Sequence, residues 1–406
     1  MCRIDFHCHD RTIRASDPDI LPVAFPAIAK KPLSPTGGFA KGETTRVGGR
    51  ARSSERRKSN SPIQVSAACS FLPILNFVLN LGAPVDRWLE ECKLPYQLYE
   101  DPETYIPTKN YWAFVSLAEA KEAIDDLGLR VGQDQIYETH GFPLVASTYA
   151  APTLLSGIQA FSRGVRRIYS GTGIVLARGE KDSVKLVLKK SFDIDIPGFT
   201  TTEWLGIISL IAVVQLFARR TWQPEVISLR SNRVVPPLAQ AMYPNTHIIR
   251  GQETSYISFP KQMLSSGPSS FGGEVVARLE SESFVTSQLE PPADFADSVQ
   301  RILASYLPDG YLSLESVAEI AGISPRTMQR SLATDGLNFS WLVERTRFDI
   351  ASRMLVETDA SSLDVAFATG YEDPSHFARA FKRLAGCSPR EYRRRNADPN
   401  REESGA

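Results

Sequence analysis

One pattern occurs twice in the last hundred residues of this 406-residue chain, and it leaves few folds open for that part. The first copy is Val317-Ala-Glu-Ile-Ala-Gly-Ile-Ser-Pro-Arg-Thr-Met-Gln-Arg-Ser-Leu332, and the second is Val365-Ala-Phe-Ala-Thr-Gly-Tyr-Glu-Asp-Pro-Ser-His-Phe-Ala-Arg-Ala-Phe381. Val317 and Ala318 match Val365 and Ala366, and Gly322 matches Gly370, at an offset of 48. Past the turn the offset is 49, so Arg330 matches Arg379 and the second turn is one residue longer. Each matched feature has a local task. The small alanine lets a second helix cross the first closely. The glycine ends the first helix, where a left-handed backbone is favoured. Ser324-Pro325 and Asp373-Pro374 each supply an N-cap followed by proline at the first helical position.

These features describe two helix-turn-helix units. Met328 and Leu332, four apart, face the core of the first, and Phe377 and Phe381 do so in the second. Arg326, Thr327, Gln329 and Arg330 are left facing outward on one recognition helix, 325–332. Ser375, His376, Arg379, Lys382 and Arg383 are left outward on the other, 374–384. Arginine and glutamine near a helix start are side chains that reach guanine and adenine edges in the major groove. Bulk charge is silent here, since residues 309–395 hold 12 Lys/Arg and 12 Asp/Glu. The arrangement speaks instead: the recognition helices and Arg390, Arg393, Arg394 and Arg395 are basic, whereas the first helix of each unit is neutral or acidic. The competing account is a plain helical bundle with a solvated basic face, and two copies with matching caps and outward arginines weigh against it. Residues 339–357 lack Pro and Gly and read as one long helix joining the units, roughly 28 Å at about 1.5 Å per residue. Ser388-Pro-Arg-Glu391 starts a closing helix with an N-cap, a proline and a capping-box glutamate.

The stretch Gly370-Tyr-Glu-Asp-Pro-Ser-His-Phe-Ala-Arg-Ala-Phe-Lys-Arg-Leu-Ala-Gly-Cys-Ser-Pro-Arg-Glu-Tyr392 closely resembles the signature of AraC/XylS-type bacterial transcription regulators, and the resemblance covers 311–395. A long α/β region in front resembles, more loosely, the branch whose N-terminal region is called an arabinose-binding-like domain. The resemblance implies binding of double-stranded promoter DNA by the C-terminal domain. It implies a homodimer, a small-molecule effector of unknown identity on the N-terminal domain, and activation of nearby genes with RNA polymerase as partner. A sugar effector does not follow from the name, because the front domain does not look like the small β-barrel of sugar-responsive members. Arg326 stands where several relatives carry a bulkier residue, and the long N-terminal tail is outside the family pattern.

The expected fold class is thus an α/β N-terminal sensor domain plus an all-α C-terminal domain with two helix-turn-helix units joined by a long helix. The expected boundaries are a disordered tail over 1–62, an effector-sensing and dimerisation domain over 63–290, a linker helix over 291–306, the DNA-binding domain over 307–395 and a disordered tail over 396–406. Residues 1–62 hold 12 Lys/Arg against 6 Asp/Glu and have no hydrophobic period, and Lys41 to Ser61, almost entirely Gly, Ser, Thr, Arg and Lys, cannot bury enough apolar surface to offset chain entropy. Within 63–290, helices are expected over 70–81, 108–127, 153–168 and 203–218, with another near 235–242. A hairpin is expected over 173–178 and 183–188, further strands over 225–229 and 255–259, and a Ser/Gly loop over 262–273.

Composition narrows the function classes. Lys+Arg and Asp+Glu are 46 each, which excludes a globally basic, histone-like protein but not a local basic face. Cysteines at 2, 8, 69, 92 and 387 show no disulfide spacing and fit a reducing compartment. No apolar run reaches the length of a membrane span; 204–217 reads as a buried helix. With no signal-peptide order at the N-terminus, the expected location is the cytoplasm and no membrane partner is expected. His7-Cys8-His9-Asp10 reads as chance in a tail rather than a metal site, so no metal and no cofactor are expected. His140 and His247 lack sequence partners, and Gly171-Thr-Gly173 reads as a plain turn, so no enzyme is expected. Trp112 and Trp204 are core aromatics or pocket walls. The runner-up function is an effector-independent DNA-binding regulator whose middle domain only dimerises.

Overall fold

A computed structural model describes residues 61–396 apart from 100, 136–147, 280–288 and 311. The tail to residue 60, the Cys2–Asp10 region, His140 and residues 397–406 lie outside the described residues. A short antiparallel ribbon pairs β1 (Val65–Ala67) with β2 (Tyr105–Pro107). Between them run α1 (Leu72–Asn80) and α2 (Val85–Glu91). α3 (Thr108–Glu122) continues β2 directly. It ends earlier than its apolar period suggests, because Ala123 turns into the left-handed region at φ 52 and its N–H returns to the Glu119 carbonyl. Leu127 then opens a separate helix, α4 (Leu127–Gln135).

α5 (Leu154–Ile168) starts on Thr153, whose side chain accepts the Ser156 N–H while the Ser156 hydroxyl takes the Thr153 N–H. Its stripe of Leu154, Ile158, Phe161 and Val165 is buried. The hairpin follows as β3 (Thr172–Arg178) and β4 (Ser183–Lys190). Then come α6 (Phe199–Gln215), β5 (Val226–Ser228), α7 (Pro237–Met242), β6 (His247–Ile249), β7 (Ser255–Pro260) and α8 (Ser270–Leu279). The sheet order is β3-β4-β7-β5-β6, antiparallel except for the parallel β5–β6 pair. β6 has only three residues, too short for an alternation to register in sequence. α6 is apolar almost all round and buried against the sheet. Its one buried acid, Glu203, accepts the Arg230 N–H at 2.7 Å, the Ser231 N–H at 3.2 Å and the Ser255 hydroxyl. Those donors meet a charge that would otherwise be too costly to bury.

The expected loop over 262–273 is instead a 3-10 turn, Lys261–Ser265, and the first turn of α8. Ser269 accepts the Gly272 N–H at 3.1 Å, as an N-cap does. A Cβ on Gly272 would sit 2.5 Å from the Leu216 carbonyl oxygen and 2.3 Å from the Tyr149 ring. The glycine there serves close packing, which composition alone reads as flexibility.

The second half of the described chain is helical: α9 (Phe295–Tyr306), α10 (Leu314–Ala321), α11 (Pro325–Thr334), α12 (Phe339–Glu357), α13 (Ser362–Ala368), α14 (Pro374–Ala385) and α15 (Pro389–Asn396). α9 falls in the stretch expected as a linker helix, yet it is walled in on both sides. Phe295, Val299, Ile302, Leu303 and Tyr306 are all buried. Toward the sheet side, Ser305 donates to the Tyr105 carbonyl at 2.6 Å, Tyr306 donates to the Lys93 carbonyl at 2.7 Å, and the Ile63 N–H donates to the Ser298 hydroxyl at 3.0 Å. Toward the helical side, Gln300 donates to Asp349 of α12 at 2.9 Å. One continuous apolar core therefore runs from the sheet through α9 to Val317, Met328, Leu332 and Leu342. Ala351, Leu355, Val365, Ala366, Phe377 and Phe381 form a separate core. α12 takes part in both, with Leu342 in the first and Ala351 and Leu355 in the second.

Candidate nucleic-acid interface and interior cavity

α11 and α14 begin alike. Ser324 accepts the Thr327 N–H at 3.1 Å and Asp373 accepts the Ser375 N–H at 2.7 Å, each just before a proline. Gly322 and Gly370 precede these starts at φ 73 and 75, the left-handed region. Met328 and Leu332, and Phe377 and Phe381, are buried, so the rotation of both helices about their axes is fixed. Arg326, Gln329 and Arg330 are exposed on α11. Thr327 is half-buried, and its hydroxyl lies 2.8 Å from that of Ser324, so it belongs to the cap as much as to the face. On α14, Ser375, His376, Arg379, Lys382 and Arg383 are all exposed. His376 Nε2 lies 3.6 Å from Asp373, whose carboxyl is held below its ordinary range chiefly by the Ser375 N–H.

Two of the basic residues have structural partners that the sequence does not announce. Arg383 is paired with Glu344 of α12. Arg393 donates from Nε to the Leu355 carbonyl at 2.8 Å and from its guanidinium to the Ala360 carbonyl, fastening the end of α12. Arg395 pairs with Glu391 one turn back, and Arg390 and Arg394 are exposed.

The α/β half touches this face's support directly. Lys109, second residue of α3, donates to the Glu319 carbonyl at 3.1 Å, and Lys93 pairs with the Glu319 carboxylate. A cation at the C-terminal end of α10 meets that helix's unpaired carbonyls and the negative end of its dipole.

The same α3 walls an interior cavity of about 100 Å³, together with α1, α5, α6 and the β3–β4 hairpin. Trp112 stands in its wall, packed on Phe192 at 4.4 Å and on Phe199 at 6.0 Å; Trp204 is ordinary core. Leu188, Leu205, Phe161 and Val165 complete an apolar lining. Among the described residues, the one basic residue of the wall is Lys190, whose Nζ sits 5.3 Å from the Trp112 ring centre and 5.7 Å from that of Phe199. Lys190 is half-buried and lines the cavity. Burial pushes its pKa down from 10.5 to about 7. Lys190 was not singled out from the sequence, but a signal for its inward position existed: it shares the strand parity of Val184, Leu186 and Leu188, which are all buried.

The other sequence-stated candidates stay apart. His247 is exposed on the edge strand, and Gly171 is a positive-φ turn before β3. Cys69, Cys92 and Cys387 are buried free thiols. Among the described residues there is no group of three or more His, Cys, Asp or Glu that could hold a metal ion, and no helix long and apolar enough to cross a membrane.

Comparison with known proteins fits this geometry. Residues 317–395 match the profile of a helix-turn-helix domain, and residues 82–267 match that of the arabinose-binding domain of AraC transcription regulators, N-terminal. The HTH-type transcriptional regulator VirS of Mycobacterium tuberculosis is 22% identical over 317 residues, covering 77% of this chain and 92% of that protein. The transcriptional activator NphR of Rhodococcus is 35% identical over 99 residues, 24% of this chain and 30% of its own. Among solved structures, the transcriptional regulator CdpR of Pseudomonas aeruginosa shares 19% identity over 77% of this chain and 96% of its own, with a TM-score of 0.31. These relatives are regulators rather than enzymes. The chain is a DNA-binding transcriptional regulator that belongs to the AraC/XylS type, in the branch with an arabinose-binding-like N-terminal domain.

Proposed function

We propose that the chain is an effector-controlled transcriptional activator that reads promoter DNA through two helix-turn-helix units, α10–α11 and α13–α14, held apart by α12. In this reading residues 307–395 bind DNA and 63–290 sense a small molecule and form the homodimer. The base-edge contacts come from Arg326, Gln329 and Arg330 on α11 and from Ser375, His376 and Arg379 on α14. Thr327 and Lys382 serve the adjoining backbone, and Arg383 divides its charge between phosphate and Glu344. RNA polymerase is the partner that turns binding into activation.

The observation that carries the effector reading is the path between cavity and head. Thr108, Tyr111 and Trp112 face the cavity, while Lys109, on the same helix, holds the end of α10. A ligand that shifts α3 acts on α10 without an intervening flexible joint, because α9 also ties the two halves into one core. The middle domain therefore has the means to control the head rather than only to pair it.

The test is a footprint of the full chain on its promoter. One protomer should protect two short elements about one helical turn apart, roughly 34 Å or 10–10.5 bp. Inserting 5 bp between the two elements turns one of them to the opposite side of the duplex and should abolish high-affinity binding. If the full chain binds the lengthened site as well as the original, the two-groove reading is wrong. Transcription from the adjacent promoter during growth on different metabolites tests the effector.

A further inference from the structure

The cavity beside Trp112 has a chemistry that selects among effectors. Its walls are largely aromatic and aliphatic, and four of its hydroxyls, those of Ser70, Thr108, Thr202 and Ser209, already have partners. Ser70 donates to the Ala67 carbonyl, Thr202 to the Phe199 carbonyl and Ser209 to the Leu205 carbonyl, at 2.7–3.0 Å. The Thr108 hydroxyl lies 2.9 Å from that of Ser66. A polyhydroxylated ligand would leave its hydration behind and find few partners here, a loss that sites lacking matched groups do not recover.

What the wall does offer is one cation. The nearest carboxylate, Glu203, is engaged by two backbone N–H groups and Ser255. Arg230 turns its guanidinium to the Lys190 and Phe192 carbonyls, at 3.4 and 3.1 Å, and stacks on Phe199 at 5.3 Å. Among the described residues Lys190 is thus the one cation in the wall of this apolar chamber, set against two ring faces. A single cation suits a monoanion; a phosphate monoester would bring a second charge with nothing to meet it.

We propose that this cavity is the effector site and that it takes a small apolar monocarboxylate, the carboxylate on Lys190 and the body against Trp112, Leu188, Leu205 and Phe161. At about 10–15 Å³ of such volume per water-sized atom, the cavity holds roughly seven to ten non-hydrogen atoms, the size of hexanoate or phenylacetate. The inference rests on the effector-controlled reading above and deepens it. Binding has a proton signature. Near pH 8 the buried ammonium is largely neutral, and an arriving carboxylate restores its charge, so the complex takes up a proton. The other groups around it do not compete: Tyr111 and Tyr169 are pushed far above their ordinary values by burial and stay neutral. Glu203 and Arg230 keep the partners just described.

The experiment is calorimetric titration of the full chain at pH 8 in two buffers of different ionisation enthalpy. Hexanoate and phenylacetate are compared with hexanol, hexanamide and L-arabinose. The wild type should bind both carboxylates at least ten-fold tighter than the matched alcohol or amide, with proton uptake. Lys190→Met should lose that preference and the proton uptake while keeping hexanol, and Lys190→Arg should retain the preference. Thermal unfolding of each variant establishes that it is folded. No saturable carboxylate binding, or an unchanged preference in folded Lys190→Met, overturns the assignment. Promoter binding measured alongside separates the two claims. Carboxylate binding through Lys190 with no change at the promoter upholds the cavity assignment and removes effector control. A promoter response to L-arabinose without carboxylate binding does the reverse.

Discussion

Gly370 and Gly336 provide a matched pair of backbone experiments. Both have left-handed φ angles, 75 and 72. At Gly336 an added Cβ meets nothing within 4 Å, whereas at Gly370 it lies 2.8 Å from the Leu307 carbonyl oxygen. Gly336→Ala should therefore cost only the left-handed conformation, about 1–2 kcal/mol. Gly370→Ala carries that cost and must also push the α13–α14 turn off the Leu307–Asp309 turn. A backbone oxygen cannot swing aside as a side chain can, so the contact adds about 1–3 kcal/mol, the usual range for overpacking. Equilibrium urea unfolding of the full chain, followed by far-UV circular dichroism for wild type and both variants, reads the difference. Gly370→Ala should lose about 1–3 kcal/mol more than Gly336→Ala, with an unchanged dependence on denaturant. Equal losses would refute the close approach of the second helical pair to the end of α9.

Three further outcomes are expected. Arg330→Ala and Arg379→Ala should each weaken binding to the promoter by about 1–3 kcal/mol in a mobility-shift assay and relax base preference locally, with unfolding unchanged. Deleting residues 1–62 should leave promoter affinity near wild type at physiological salt and lower it only at low salt, where the tail's excess of basic residues attracts phosphate; a drop in thermal stability would instead show a folded tail. Lys190→Met should alter how stability depends on pH. With the folded pKa near 7 and the unfolded one near 10.5, the unfolded chain binds the extra proton between those values, so the wild type gains stability as pH rises across that window. The variant should lack that gain and be the more stable protein at pH 7; a parallel pH profile for both would show that Lys190 is solvated.

The C-terminal helices were legible because each signal was local. Caps at Ser324 and Asp373, prolines after them and four-residue apolar spacings all act within one or two turns, and sequence neighbours suffice to read them. The same holds for the Thr153 cap and the β3–β4 hairpin. What escaped depends on distant neighbours. Arg383 and Arg393 look like further members of a basic face until Glu344, Leu355 and Ala360 come alongside, 33–39 residues away in sequence. The burial of α9 follows from Tyr105 and Lys93, some two hundred residues upstream. Lys190 was readable in part, by strand parity, but its surroundings needed Trp112 and Phe199 from two distant helices. The Ser/Gly stretch near 270 misled because composition does not reveal that Tyr149 lies against Gly272.

The two cores of the helical half have a kinetic consequence. The first pair shares its apolar interior with α9 and the sheet, so opening it means breaking into the largest cooperative block of the molecule. The second pair closes over a handful of residues centred on Phe377 and Phe381, with Phe348 and Tyr392 at its margin. Small cooperative blocks open with lower free energy than the global transition, and their amide hydrogens exchange sooner. α13 and α14 should therefore exchange ahead of α10 and α11 in the free protein. In the two-groove complex proposed above, the α10–α11 end should hold its groove as a fixed edge, and the α13–α14 end should detach and return within one residence. The lifetime of that complex should then follow how fast the looser end re-engages before the firmer one lets go.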